Sequence, residues 1–331
     1  MKALQLVALN GPGSLVLTDI DAAPMIDPLF TGHEPVVIEV HAAGVAFPEL
    51  LQTYGKYQHS APVPFVPGGE VSGIVLEAPP GALVRPGQRV VAFTQSGGFA
   101  ETVVAPVMLT FPMHPAFDFA QGAGYLMNYH TAYFSLVTRG GLQAGEWVAV
   151  HGAAGGVGTA TIQVAKGLGA QVIAVVSDDA KESIARRMGA DVVVRSDGPW
   201  KDEVVEASGG GVDMVIDPVG GDRALDILRS LREGGRWVVV GFAGGGIPEI
   251  KVNRLLLRNL SAIGAGWGAF AFTRPALSAQ IDTALNSLID SGHVRPPVTA
   301  RFPLADGAAA LVHLEERKAL GKVVIEVRSP A

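Results

Sequence analysis

The chain has 331 residues, 48% of them apolar, a net charge of −6 and no cysteine. That length allows two domains of ordinary size, and the charge, without any basic block, excludes sequence-independent nucleic-acid binding. The missing thiols exclude disulfides, cysteine nucleophiles and cysteine-based zinc sites. No apolar run approaches the ~18 residues that span a bilayer. The start, Met1 to Val7, alternates and runs into Asn10-Gly11-Pro12-Gly13. It reads as a strand and turn rather than a secretory signal, so a cytoplasmic protein is expected.

Residues 1–120 read as β-rich. Short runs at Lys2–Leu9, Leu15–Ile20, Val36–His41, Val71–Glu77, Arg89–Phe93 and Glu101–Ala105 are separated by Gly and Pro, a spacing that predicts a barrel-like or sandwich-like unit. Phe117 to Val137 reads as a helix. From Glu146 onward, strands and helices alternate. The strands are Trp147–His151, Gln171–Val176, Asp191–Val194, Val212–Ile216, Arg236–Val240 and Leu260–Ile263. The helices are Ala180–Met188, Trp200–Ala207 and Asp222–Leu231, and this order predicts a doubly wound parallel sheet. Beyond Trp267 the alternation stops. Helical patterns at Ala276–Ser291 and Asp306–Lys318 lead to a last strand, Lys322–Val327, which is expected to rejoin the first domain. The predicted division is 1–120 plus 267–331 for one domain and 121–266 for the other.

The most informative stretch joins the first parallel strand to its helix: Gly152-Ala153-Ala154-Gly155-Gly156-Val157-Gly158. Gly152 suits a tight turn at the strand end. Gly155 and Gly156 let the backbone approach a pyrophosphate, and Gly158 lets the helix pack close. The unpaired N–H groups and the positive dipole end of that helix then face the phosphates.

Several further stretches carry a family resemblance: Ala43-Gly44-Val45-Ala46-Phe47-Pro48-Glu49-Leu50, Pro67-Gly68-Gly69-Glu70-Val71-Ser72-Gly73, Gly97-Gly98-Phe99-Ala100-Glu101, Asn128-Tyr129-His130-Thr131-Ala132-Tyr133, and Gly264-Ala265-Gly266-Trp267-Gly268. Taken in order, they resemble the zinc-free quinone oxidoreductase branch of the medium-chain dehydrogenase/reductase superfamily. The resemblance covers essentially the whole chain. It implies a GroES-like substrate domain with an inserted Rossmann domain, a cleft between them, NADPH-dependent reduction and a homodimer.

The sister branch of alcohol dehydrogenases holds a catalytic zinc partly through a Gly-His-Glu motif. Gly32-His33-Glu34 matches it by eye but precedes the Val36–His41 strand. At the family's position this chain has Gly68-Gly69-Glu70, without an imidazole, and no histidine spacing offers another site. No metal is expected.

For the cofactor, the resemblance aligns Val176 with the place where NAD sites put a carboxylate on the ribose 2′-OH. Ser177, Lys181 and Arg195 follow as candidates for a 2′-phosphate, Lys181 at the position where NADPH members of the family carry a lysine. NADP is therefore expected. Asp178 or Asp179 reads as the cap of the next helix, although a strand two residues longer would give Asp178 the NAD-type place. Gly241-Phe242-Ala243 and Gly266-Trp267, at the ends of the fifth and sixth strands, are further candidates for the nicotinamide end, as is Lys322.

Without a Lewis acid, the substrates that fit are acceptors that delocalise the incoming charge, such as quinones and α,β-unsaturated carbonyls. Tyr57 lies where the family keeps a tyrosine beside nicotinamide and substrate. Ala46 stands where the family often has asparagine. Asn128 and Thr131 share one helix face that the family aims at the nicotinamide. No Ser/His/acid set or paired carboxylate stands out, so proton delivery falls to solvent or Tyr57. The alternatives are an enoyl-CoA reductase of the same mechanism and an NADPH-binding protein without turnover, crystallin-like or a sensor.

Overall fold

The computed structural model of the chain describes residues 1–23, 32–59 and 61–328. The first part contains β1 (Lys2–Leu6), β2 (Leu15–Asp19), β3 (Pro35–Val45), α1 (Phe47–Thr53), β4 (Glu70–Glu77), β5 (Arg89–Phe93), β6 (Thr102–Pro106), β7 (Thr110–Pro112) and α2 (Phe119–Gly122). After α2 the chain is π-helical at Leu126–His130, has a short α3 (Thr131–Tyr133), and is π-helical again at Phe134–Arg139. The predicted single helix over 117–137 is thus broken into pieces. Its apolar residues satisfied a helical pattern but could not report the wider winding, which is often found at functional sites.

The alternating part runs β8 (Trp147–His151), α4 (Gly156–Gly167), β9 (Gln171–Val176), α5 (Asp179–Arg187), β10 (Val192–Arg195), α6 (Trp200–Ala207), β11 (Val212–Asp217), α7 (Ala224–Ser230), β12 (Leu231–Val239), α8 (Asn253–Leu256) and β13 (Ser261–Gly264). The tail adds α9 (Trp267–Thr273), α10 (Pro275–Asp290), β14 (Val298–Pro303), α11 (Gly307–Glu315) and β15 (Lys322–Glu326). Among these, α1, β7, α8, α9 and β14 have no counterpart among the predicted elements. Two compact units emerge: residues 1–127, 272–282 and 296–331 form one, and 128–271 with 283–295 form the other. The second unit therefore takes part of α10 and the turn after it, a stretch expected in the first.

In the first unit a sheet runs β14-β15-β3-β4-β5-β7, with β6 also pairing β3. β15 lies antiparallel to β3, Val323 opposite Val45, so the last strand closes the domain that the first strands began. Along β3, Val36, Ile38 and Val40 alternate inward, as expected of an antiparallel strand with one buried face. They join Leu4, Leu6, Val103 and Ile325 in one core.

In the second unit the strand order is β10-β9-β8-β11-β12-β13, parallel throughout. β8 and β9 are buried along nearly their whole length, because helices cover both faces of such a sheet. The order reverses between β8 and β11, and ligands of open α/β sheets bind outside the strand ends at that switch point. No helix among the described residues is long and apolar enough to cross a membrane.

Candidate functional site

The glycine turn sits at the switch point, between β8 and α4. Gly152 has φ +57°, the left-handed region that glycine enters without strain. A Cβ on Gly158 would collide with the Gly152 carbonyl and the backbone of Ala153. Gly158 is therefore what brings the start of α4 against the end of β8. A Cβ on Gly155 would meet only the Gly152 carbonyl, at 3.4 Å, so its outer side is clear. Ala153 and Ala154 are buried, while Gly155, Gly156 and Val157 are half-exposed. This cradle, with the first N–H groups of α4 pointing out of it, fits a dinucleotide pyrophosphate.

Asn128 reaches the same turn. Its amide lies 2.7 Å from where a Gly156 Cβ would be, and Thr131, half-buried, follows it on the chain. Tyr129 turns the other way. Its hydroxyl donates to Gln163 Oε1 at 2.7 Å, and burial raises the phenol well above its usual range. Across the switch point, Gly241 and Ala243 donate backbone N–H groups to the carbonyls of Asp217 and Pro218, and Phe242 is exposed. Gly266 is exposed, but Trp267 is buried, edge-on to His130 at 5.3 Å.

At the end of β9, Val176 is the last strand residue and Asp178 caps α5, accepting from Lys181 N at 3.0 Å. Lys181 Nζ donates to Ser177 Oγ at 2.8 Å and pairs with Asp178 at 2.7 Å. Arg195 pairs with Asp179 at 2.5 Å and donates to the Ser177 carbonyl at 2.8 Å. Ser177, Lys181 and Arg195 are thus brought together, each already engaged by an acidic neighbour or its backbone. The hydrogen bond from Lys181 holds the Asp178 carboxyl down to about 2.

The first unit holds a cluster that sequence reading missed. Glu49 and Glu70 are each 1% exposed and Lys322 is 2% exposed. Lys322 forms an ion pair with Glu70 Oε1, and Glu70 Oε2 accepts from Met127 N at 2.9 Å. The two oxygens of Glu49 accept from Gly69 N and Ala46 N, each at 2.9 Å. Lys322 therefore meets a buried carboxylate, where the resemblance had implied the cofactor. Two carboxylates, Glu49 and Glu70, are buried in this unit, although none stood out in the sequence. Both glutamates lay inside the stretches that carried the resemblance, but nothing local marks a carboxylate as buried. Burial pushes the Glu49 carboxyl up to about 7, against the pull of Lys322 and with a smaller push from Glu70. Tyr57, half-buried in the loop after α1, is raised by burial and by the charge of Glu49.

The Glu49 carboxylate lies over Gly69, the position that the resemblance aligns with a zinc-ligand histidine. A Cβ on Gly69 would stand 2.9 Å from Glu49 Oε1, so a histidine there would displace that carboxylate. His33 is exposed in a turn. Among the described residues no three His, Cys, Asp or Glu side chains gather into a metal-holding group.

Comparison with known proteins identifies the family. The family described as alcohol dehydrogenase GroES-like domain matches residues 32–115, and that described as zinc-binding dehydrogenase matches 156–284. Quinone oxidoreductase-like protein 2 of Bos taurus is 38% identical over 301 residues, covering 89% of this chain and 86% of its own. The chain belongs to the quinone oxidoreductase branch of the medium-chain dehydrogenase/reductase superfamily. Among solved structures, a probable oxidoreductase from Mycobacterium abscessus superposes with a TM-score of 0.88 at 44% identity, over 98% of each chain. The Thermus thermophilus quinone oxidoreductase, solved also with NADPH, gives a TM-score of 0.82 at 32% identity over 99% of this chain and 100% of its own. The fold is accordingly a GroES-like domain with a Rossmann-type sheet, and the chain is an oxidoreductase. The broad family description mentions zinc, and residue 69 of this chain, which the resemblance aligns with the histidine of the zinc-binding branch, is a glycine.

Proposed function

We propose that this protein is a metal-independent reductase that uses NADPH to reduce a quinone or an α,β-unsaturated carbonyl. The observation that carries the reading is the occupation of the metal-ligand position by Gly69 and the Glu49 carboxylate. With no Lewis acid at hand, the acceptor must itself spread the charge that a hydride brings. The bound nicotinamide supplies that hydride, and the protein supplies position and polarity. Tyr57 donates a hydrogen bond to the acceptor oxygen and then its proton. Asn128 and Thr131 orient the nicotinamide end.

The choice of NADPH is supported by Val176 in place of a carboxylate and by the gathering of Ser177, Lys181 and Arg195. A 2′-phosphate would displace Asp178 from Lys181 and Asp179 from Arg195. The exposed ion pairs it replaces are worth little, about 0.2–1 kcal/mol each, so the exchange is favourable. The same reading includes a homodimer. It is supported by β13, the outer strand of its sheet, and by the exposed Ile247, Val252, Leu256 and Leu257 of the same unit, a patch of the kind that marks interaction surfaces.

The test follows oxidation of NADPH by its absorbance, with quinones, enones and crotonyl-CoA as acceptors. Turnover with a quinone or enone is the expected result. Preference for crotonyl-CoA would move the assignment to an enoyl-thioester reductase, and silence with all three would make the protein a nucleotide binder without turnover. Lys181→Ala should raise KM for NADPH about tenfold, as the loss of one charge-assisted hydrogen bond predicts. Equal small effects on NADPH and NADH would overturn the choice of cofactor.

A further inference from the structure

One buried carboxylate orders the loops that face the glycine turn across the switch point. Asp217, the last residue of β11, is fully buried. Its Oδ1 accepts from the N–H groups of Val219 and Gly220, each at 3.0 Å. Its Oδ2 accepts from the Trp237 indole of β12 at 3.1 Å. Three neutral donors thus take both oxygens, and the chain after β11 is wound back over its own strand end, as an aspartate at a turn commonly does. The shaped loop then carries its neighbour. The Asp217 carbonyl receives the N–H groups of Val240 and Gly241, that of Pro218 receives Ala243, and that of Val219 receives Gly244. Gly221 in turn donates to the Gly246 carbonyl at 2.9 Å. Among the described residues, this row uses the N–H groups of Gly241, Ala243 and Gly244 and leaves that of Phe242.

The loop after β11 also touches both halves of the nucleotide site. The Val219 side chain lies 3.0 Å from where a Gly152 Cβ would stand, and a Cβ on Gly220 would come within 2.8 Å of the Phe242 ring. The glycine turn has holds of its own: Ala153 N donates to the Val175 carbonyl and Gly155 N to the Gly152 carbonyl. Residues 241–246 lie in no strand or helix, so their place depends on residues 217–221. We propose that Asp217 positions the nicotinamide end of the cofactor, by holding residues 218–220 in the one conformation on which loop 241–246 seats. The inference rests on the NADPH reading above, with the nicotinamide at Gly241-Phe242-Ala243, and adds a residue to it. Asp217 is sealed and does not touch the nucleotide. It is a positioning residue that acts through Val219, Gly220 and Phe242. A role in stability alone would weaken the whole nucleotide site together, whereas positioning here predicts a loss confined to the nicotinamide half.

Asp217→Asn tests this. It keeps the shape of the side chain but leaves one oxygen for donors on two sides, and its amide must face one of them donor to donor. Calorimetry on the full chain compares NADPH with 2′-phospho-ADP-ribose, which lacks the nicotinamide. Asp217→Asn should weaken NADPH about tenfold, the scale of one lost hydrogen bond, and leave the fragment nearly unchanged. Adding Trp237→Phe removes the competing donor, frees the oxygen for Val219 and Gly220, and should recover most of the loss. Val204→Ala, in the core of the same unit, should lower the melting temperature without changing the ratio of the two affinities. Equal weakening of both ligands by Asp217→Asn, or no recovery in the double variant, overturns the positioning role and leaves the reductase standing. A second measurement needs no variant. In the unliganded wild-type protein the Val219 and Gly220 amides should exchange with solvent far more slowly than that of Phe242. Equal exchange at all three would overturn the proposal even if Asp217→Asn fails to fold. A wild-type protein that binds neither ligand would overturn the proposal and the NADPH reading together.

Discussion

Each unit carries a cluster of acidic and basic side chains, and the two behave differently because one is dry and the other wet. Asp178, Asp179, Lys181 and Arg195 are 46%, 95%, 23% and 37% exposed at their side chains. Water screens them, and their partners can be exchanged for a ligand. Glu49, Glu70 and Lys322 are sealed, so their charges must match to within one proton. Charged residues of the same types thus give a replaceable surface in the second unit and a buried group with a raised carboxyl in the first. What decides is access to solvent, not composition.

The largest effect that would test this contrast is on folding. Lys322→Met leaves Glu70 buried without its cation and should cost about 3–5 kcal/mol in chemical denaturation. Lys181→Met in the exposed cluster should cost under about 1 kcal/mol. Similar losses in both variants would break the comparison. Adding Glu70→Gln to Lys322→Met should recover part of the loss, because the orphaned charge goes with it.

A second effect appears in the pH dependence of stability. Folding raises the Glu49 carboxyl from 4.5 to about 7, so its contribution is present below 4.5 and is lost as pH rises through 7. The slope approaches about 1.4 kcal/mol per pH unit between those two values and vanishes above the higher one. His151, at the end of β8, adds the opposite limb. Burial holds its imidazole well below the ordinary value, Asp217 opposing and Arg223 assisting, and its ring stands edge-on to Trp200 at 4.7 Å. Its contribution is present above about 6.5 and is lost as pH falls. Thermal unfolding should therefore show a broad maximum at mildly acid pH, and Glu49→Gln should remove the fall toward pH 7 while leaving the fall at lower pH. An unchanged fall toward pH 7 in that variant would mean that Glu49 is ionised throughout.

The smallest effect belongs to the wet cluster. Asp178→Asn keeps a good helix cap and removes one negative charge, so stability should move by less than about 1 kcal/mol. Preference for NADPH over NADH should rise by up to about tenfold, read from KM ratios. A fall in that preference would show Asp178 aiding the phosphate side.

Much of the fold was legible because its signals are local. β8, β9 and β11 are short apolar runs, and the runs of β8 and β9 lead into Gly152 and Ser177-Asp178. Such strands are buried on both faces and show it in composition. The elements that escaped were those whose patterns are ambiguous. Phe117–Val137 is apolar enough for a helix of any winding. β14 ends in Pro303 and alternates half-buried with exposed residues, so it carries no hydrophobic stripe. The site divides in the same way. Gly152 to Gly158 declared itself by spacing, and Asp178 by its place before a helix. Lys322 and Glu70 lie 252 residues apart in the chain, and no window of sequence contains both.

The sequence by itself therefore determined the parallel sheet, the nucleotide turn and the absence of an imidazole at position 69. Each depends on residue types within a few positions of one another. Only the tertiary structure decided where the charges are dry. It turned Lys322 toward Glu70, set the Glu49 carboxylate over Gly69 and placed both beyond reach of water. Ionisation in a folded protein is governed by the dielectric and the partners that distant segments bring, and a linear pattern carries neither.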